Sequence, residues 1–92
     1  MKTTIICLDL DGVIRDENTG EPISGALKAI KWLEEKGREV IICTAGDLEK
    51  ANWWLEEHNF YKIATNIKPK ATAYIDNRAI RFVSWDDVTS YF

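Results

Sequence analysis

The chain has 92 residues, of which 46% are hydrophobic and 29% are charged, and its formal net charge is −3. These values predict one soluble globular domain with a modest stability margin. No apolar run approaches the length of a membrane span, and lysine and arginine form no basic stripe of the kind that binds nucleic acid. The N-terminus lacks a signal-peptide pattern, so we expect a cytoplasmic protein.

The first predicted element is a buried strand over residues 4–10. Two acids and a glycine stand at its end, at positions 9, 11 and 12. A buried parallel strand does not normally end this way. Strand alternation would place Asp9 and Asp11 on one side of the chain, and Gly12 would allow a sharp turn. Two neighbouring carboxylates repel, so a cation is expected between them, and a divalent cation with oxygen ligands is the simplest candidate.

A small hairpin is predicted over residues 13–23, because turn formers at 16–20 separate two short extended pieces. We call this hairpin the flap. The first helix is predicted over residues 25–36, with Ser24 as its N-cap and Gly37 as its stop. The flap therefore connects the acidic strand end to the first helix.

The second buried strand is predicted at Glu39–Cys43. A second helix follows over residues 48–58, with Asp47 as its N-cap and Asn59 at its end. Trp53 falls off the apolar face of this helix. We favour a tryptophan wedged at the helix margin; the alternative is an exposed contact for a partner subunit or a substrate.

The rest of the chain predicts short strands at residues 61–64, 71–75 and 80–83. A capping box at residues 84–87 opens a C-terminal helix. The alternation of strands and helices is typical of a three-layer, Rossmann-like α/β fold, in which helices cover both faces of a parallel sheet.

Ligands of such sheets bind beyond the carboxyl ends of the strands. Polar residues follow or end three of the predicted strands: Asp9 and Asp11, Thr44, and Asp76 with Asn77. This convergence on one edge predicts a binding site there. Cys7 and Cys43 lie inside buried strands without metal-site spacing or a histidine partner. We interpret them as reduced core thiols rather than a disulfide or a metal pair.

The segment Asp9-Leu10-Asp11-Gly12-Val13-Ile14 resembles the first motif of the haloacid dehalogenase (HAD) superfamily, whose members are mostly phosphatases. The resemblance covers essentially the whole chain, residues 1–92. It implies a single HAD-like core domain with a short flap and no cap domain. It further implies a Mg²⁺ cofactor and Asp9 as a nucleophile that forms an aspartyl-phosphate. Asp11 would be the general acid and base, and its main-chain carbonyl a metal ligand.

The other motifs follow in chain order. Thr44 resembles the second motif, whose hydroxyl donates to the phosphate. Lys68 resembles the third motif, a lysine that pairs with the nucleophile and the phosphate; Lys70 is the alternative, and Pro69 favours Lys68. Asp76-Asn77 resembles the fourth, metal-binding motif, although Asn77 stands where many members carry a second acid and would weaken the hold on the metal. The implied substrate contacts are Gly12, Thr44, Ala45, Arg15 of the flap, and Arg78.

Acids at both positions of the first motif imply hydrolysis of a phosphate monoester, on a small molecule or a macromolecule end. A neighbouring subunit could cover the open site, so a homo-oligomer is one expectation. Two alternatives remain open. One is a catalytically weak or inactive phosphate- or metal-binding module of the same fold, which Asn77 favours. The other is a receiver-like signalling domain, although its phosphoacceptor would be expected at the end of a central third strand.

Overall fold

The structure is a computed structural model, and it describes residues 4–67, 73–76, 80–81 and 85. Within these residues the chain forms, in order, β1 (Ile5–Asp9), α1 (Ala26–Glu35), β2 (Glu39–Cys43), α2 (Leu48–Glu57), β3 (Ala64–Thr65), β4 (Ala73–Asp76) and β5 (Ile80–Arg81). The described strands form one parallel sheet in the order β3-β2-β1-β4-β5. An α/β protein with a parallel sheet is therefore confirmed.

Alternate residues of the two central strands enter one hydrophobic core. Ile6 and Leu8 of β1 and Val40 and Ile42 of β2 are at most 1% exposed. The buried residues of α1 and α2 belong to the same cluster: Ala26, Ala29, Ile30, Leu33, Ala51, Trp54 and Leu55. Both described helices thus cover one face of the sheet. A helix on the opposite face stays a prediction, because the segment at 84–91 lies outside the described residues except for Trp85.

The start of α1 differs from the prediction. Its N-cap is Gly25, with φ 88° and no side-chain capping hydrogen bond, so Ser24 is not the cap. A left-handed residue separates Ser24 from the helix, and glycine adopts that conformation without steric cost. A Cβ added to Gly25 would lie 3.6 Å from Cβ of Trp85, which is buried against this turn.

The other helix ends follow the prediction. Gly37 after α1 and Asn59 after α2 both have positive φ, 82° and 64°. Hydrogen bonds from these residues and their successors back to the last helical turn complete a Schellman motif at each end. At the start of α2, Oδ1 of Asp47 accepts a hydrogen bond from the Lys50 amide at 3.1 Å, so this N-cap is confirmed.

The strand after α2 differs from the prediction. Only Ala64–Thr65 pairs with β2, whereas Tyr61 and Ile63 are exposed, so the strand predicted at 61–64 is wrong over most of its length. Trp53 is 62% exposed, which contradicts the wedged interpretation and leaves the exposed one. In the described part of the chain, neither helix is long and apolar enough to cross a membrane.

Candidate functional site at the carboxyl edge of the sheet

Asp9 is the last residue of β1, the central strand of the sheet. On one side it pairs with Cys43, the last residue of β2, so that Thr44 comes directly after this pair. On the other side, Leu8 pairs with Ile75 of β4. Extending this register by one residue places the backbone of Asp76, the last residue of β4, beside Asp9. Three of the predicted site residues therefore meet at one edge through backbone register alone.

The chain turns immediately after β1. The amides of Ile14 and Arg15 both donate to the carbonyl oxygen of Leu10, at 3.0 and 2.8 Å. Asp11 thus lies in a tight turn rather than in a continued strand. Strand alternation was predicted to place Asp9 and Asp11 on one side of the chain, but the alternation ends before Asp11.

This turn brings Arg15 against Asp11. Nε and Nη2 of Arg15 lie 2.7 and 2.6 Å from Oδ1 of Asp11, whose side chain is 46% exposed. Among the described residues, Oδ2 of Asp11 accepts no hydrogen bond. Sequence reasoning proposed Arg15 as a substrate contact and missed its contact with Asp11. A spacing of four residues signals such a contact only within a helix, and this segment is a turn.

Gly12 takes a conformation that requires glycine. Its φ is 83°, and a Cβ at this position would lie 2.9 Å from Oε1 of Glu17 in the flap. The Glu17 carboxylate therefore rests on the turn next to Asp11. A side chain at position 12 would therefore meet this carboxylate.

The flap forms as predicted, and α2 holds it in place. Arg15 forms an antiparallel bridge with Pro22, and Nε1 of Trp54 donates to the carbonyl oxygen of Gly20 at 2.7 Å. The Arg15 guanidinium carbon lies 5.4 Å from the centroid of the Trp54 ring, within the range of a cation–π contact. Sequence reasoning missed this anchoring role of Trp54. A buried indole needs a partner for its N–H, which was the available signal.

Thr44 is almost buried, at 8% exposed. Its amide donates to the carbonyl of Thr65 at 3.0 Å, and its Oγ1 accepts from the amide of Gly46 at 3.2 Å. The hydroxyl keeps its one proton for donation to another acceptor. Ala45 follows as an exposed residue in the bend after β2.

The rest of the predicted site is described only in part. Of Asp76 the structure describes the backbone, and Lys68, Lys70, Asn77 and Arg78 lie outside the described residues. Among the described side chains, no three histidine, cysteine or acidic residues form a metal-binding group. The predicted ligands that are described, the Asp9 carboxylate and the Asp11 carbonyl, are hard oxygen donors of the type Mg²⁺ prefers.

A surface groove of about 1070 Å³ lies elsewhere, along α1. Its walls include Leu27 and Trp32 of α1, Phe60 after α2, and Trp85. Asp9, Asp11 and Thr44 do not line it. This groove therefore does not coincide with the predicted site.

Comparison of the chain with known protein families, curated proteins and solved structures finds no significant match.

Proposed function

We propose that the chain is a Mg²⁺-dependent phosphatase that hydrolyses a phosphate monoester, with the HAD-like fold that its motifs resemble. The observation that supports this most is the register at the sheet edge. Asp9 ends the central strand between Thr44, which follows its partner on β2, and the backbone of Asp76 on β4. A nucleophile, a phosphate-binding hydroxyl and an acidic metal ligand are the groups that phosphoryl transfer requires.

In the proposed reaction the Asp9 carboxylate attacks phosphorus and displaces the alkoxide of the substrate. The Asp11 carboxyl gives its proton to that alkoxide and then accepts a proton from the water that hydrolyses the aspartyl-phosphate. The Thr44 hydroxyl donates to a phosphate oxygen, and Lys68 or Lys70 balances its charge. Bound Mg²⁺ would be held by Asp9, Asp76, Asn77 and the Asp11 carbonyl. It would reduce the electrostatic repulsion between the Asp9 carboxylate and the phosphate.

The receiver-like alternative receives less support. Its phosphoacceptor is expected at the end of a central third strand. Among the described strands β3 is an edge strand that carries Ala64 and Thr65, whereas Asp9 and Asp11 lie at the end of the first strand, which is central. The inactive binding module shares every described feature of the site, so turnover decides between it and the phosphatase.

The deciding experiment measures phosphate release from a panel of phosphomonoesters, with Mg²⁺ and with EDTA. The variants are Asp9→Asn and a matched control, Asp47→Asn. Both replace a carboxylate by an amide near the strand ends, but asparagine caps a helix as well as aspartate does. The control therefore keeps the fold and leaves the proposed nucleophile in place.

We expect release from the parent and from Asp47→Asn only with Mg²⁺, and none from Asp9→Asn. A folded parent that binds Mg²⁺ but releases no phosphate from any compound would favour the binding module. Release by Asp9→Asn equal to that of the parent would overturn the assignment of the nucleophile.

A further inference from the structure

The two cysteines of the described chain lie in contact. Cys7 is on β1, Cys43 ends β2, and their sulfur atoms are 2.7 Å apart. Neither is in a disulfide, and their exposed fractions are 1% and 6%. Two thiol sulfurs this close are nearer than an ordinary non-bonded contact, and only a modest approach separates them from a covalent bond of about 2.05 Å.

The contact follows from the sheet register. Cys43 pairs with Asp9, two residues after Cys7 along β1. Side chains two residues apart on a strand share one face, so both thiols project from the same face of the sheet. Cys7 and Cys43 are therefore diagonal neighbours across adjacent parallel strands.

We propose that Cys7 and Cys43 form a modification site, at which hydrogen peroxide converts the two thiols into an intrachain disulfide. The sulfur of Cys43, the more exposed of the two, attacks the peroxide oxygen; the O–O bond breaks, water leaves and a sulfenic acid remains. The sulfur of Cys7 then attacks Sγ of Cys43, and the sulfenic oxygen leaves as a second water. The protein loses two electrons and two protons, and the peroxide is reduced to two waters.

The burial of both thiols selects the oxidant. Hydrogen peroxide is small enough to reach a nearly covered sulfur, whereas a bulky disulfide reagent is not. Contact between the thiols also favours the second step over further oxidation, because the resolving sulfur is already beside the sulfenic acid.

The bond would act on the strand ends. With strands about 4.8 Å apart and a rise of about 3.3 Å per residue, diagonal neighbours have Cα atoms roughly 8 Å apart, and most disulfides need less than about 6.8 Å. Closing the bond therefore draws β1 and β2 together beside the Asp9–Cys43 pair. If the proposed phosphatase function holds, oxidation will lower turnover and a thiol reductant will restore it.

The test treats the whole parent protein with hydrogen peroxide, blocks remaining thiols with N-ethylmaleimide in denaturant, and measures the intact mass. We expect a monomer that has lost two hydrogen atoms and takes up no label, and that regains two labels after reduction. Trypsin without reductant should release peptide 3–15 joined to peptide 39–50. In Cys7→Ser, Cys43 should instead stop at a sulfenic acid that dimedone traps.

Two results would overturn the proposal: two reactive thiols left in the folded parent after peroxide, or a disulfide that joins two chains. Both readouts concern the parent alone, so they stand whether or not the serine variant folds. They are also independent of turnover, so failure of the phosphatase proposal would be seen separately. Unchanged turnover in the fully oxidised protein would overturn only the coupling to the site.

Discussion

Arg15 holds one oxygen of Asp11 with two nitrogens, at 2.7 and 2.6 Å, and leaves the other oxygen without a hydrogen bond among the described residues. The residue proposed as general acid and base is thereby oriented by the flap. Since the pair is partly exposed, its contribution to stability is small, about 0.2–1 kcal/mol. Its effect should appear in catalysis rather than in folding.

Replacing Arg15 tests this orientation. In Arg15→Ala we expect kcat to fall about 10- to 100-fold, because a misplaced general acid loses most of its effect. KM should change less, and Arg15→Lys should recover part of kcat. Lys62→Ala, which breaks the ion pair with Glu34, is the control and should leave kcat unchanged. A rise in KM with kcat intact would instead make Arg15 a substrate contact.

The flap anchor predicts a difference between two adjacent tryptophans. Trp54→Phe keeps an aromatic ring but removes the hydrogen bond to Gly20, so we expect a loss of about 1 kcal/mol in the free energy of unfolding. Trp53→Phe, at an exposed position, should change it by less than about 0.5 kcal/mol. Urea denaturation measures both. Equal effects would show that Nε1 of Trp54 does not anchor the flap.

The helix caps predict a second contrast. Asp47→Ala should lower the free energy of unfolding by about 1 kcal/mol, because the Lys50 amide loses its acceptor, whereas Asp47→Asn should be near neutral. Ser24→Ala should be near neutral, since Gly25 is the N-cap of α1. Thermal or urea unfolding gives the three values. A cost at Ser24 as large as that at Asp47 would contradict the observed start of α1.

A cluster of Glu34, Tyr61 and Lys62 predicts an alkaline transition. The Tyr61 hydroxyl donates to Oε1 of Glu34, and Nζ of Lys62 lies 2.8 Å from Oε2. Although the Tyr61 side chain is exposed overall, desolvation of its hydroxyl and the hydrogen bond to Glu34 raise the pKa of Tyr61 from 10.0 to about 12. The pKa of Tyr61 is higher in the folded than in the unfolded protein. The contribution of its hydroxyl to the free energy of unfolding is therefore complete below pH 10 and is lost as pH rises through 12.

Tyrosinate absorbance measures this transition as the difference between the parent and Tyr61→Phe. In Glu34→Gln the negative charge is gone, so Tyr61 should titrate closer to its ordinary value. If Tyr61 of the parent already titrates at its ordinary value, the result would contradict the contact between Tyr61 and Glu34. For Glu34, partial burial raises the pKa, but hydrogen bonds from Lys62 and Tyr61 outweigh it and lower the pKa. Its stabilising contribution is therefore present above pH 4.5 and lost as pH falls through the lowered pKa.

Sequence patterns correctly predict the ends of those helices and strands that are fixed by residues only a few positions away. β2 has the predicted bounds, because its apolar run is followed by polar Thr44 and preceded by the glycine stop of α1. Asp47 and Asn59 act through hydrogen bonds to residues within a few positions. The strand at 61–64 fails because pairing with β2, a tertiary property, decides which residues there become a strand.

Some features of the site were likewise predictable from the sequence, and others were not. Strand order and register bring Asp9, Thr44 and the backbone of Asp76 together, as alternation of strands and helices predicts. The contact of Arg15 with Asp11 depends on the hydrogen bonds of one turn, and that of Cys7 with Cys43 on a register across 36 residues. Neither is encoded in local spacing strongly enough to be predicted.

In the proposed reaction Asp9 carries the phosphoryl group during turnover. The most direct test of this step is acid quenching of the parent and of Asp9→Asn during reaction with a phosphomonoester that the parent hydrolyses in Mg²⁺, followed by mass analysis of peptide 3–15. We predict one phosphoryl group on Asp9 of the parent, released by hydroxylamine, and none on the variant. Continued phosphate release with no phosphoryl group trapped on this peptide, or with one on another residue, would show that Asp9 is not the nucleophile.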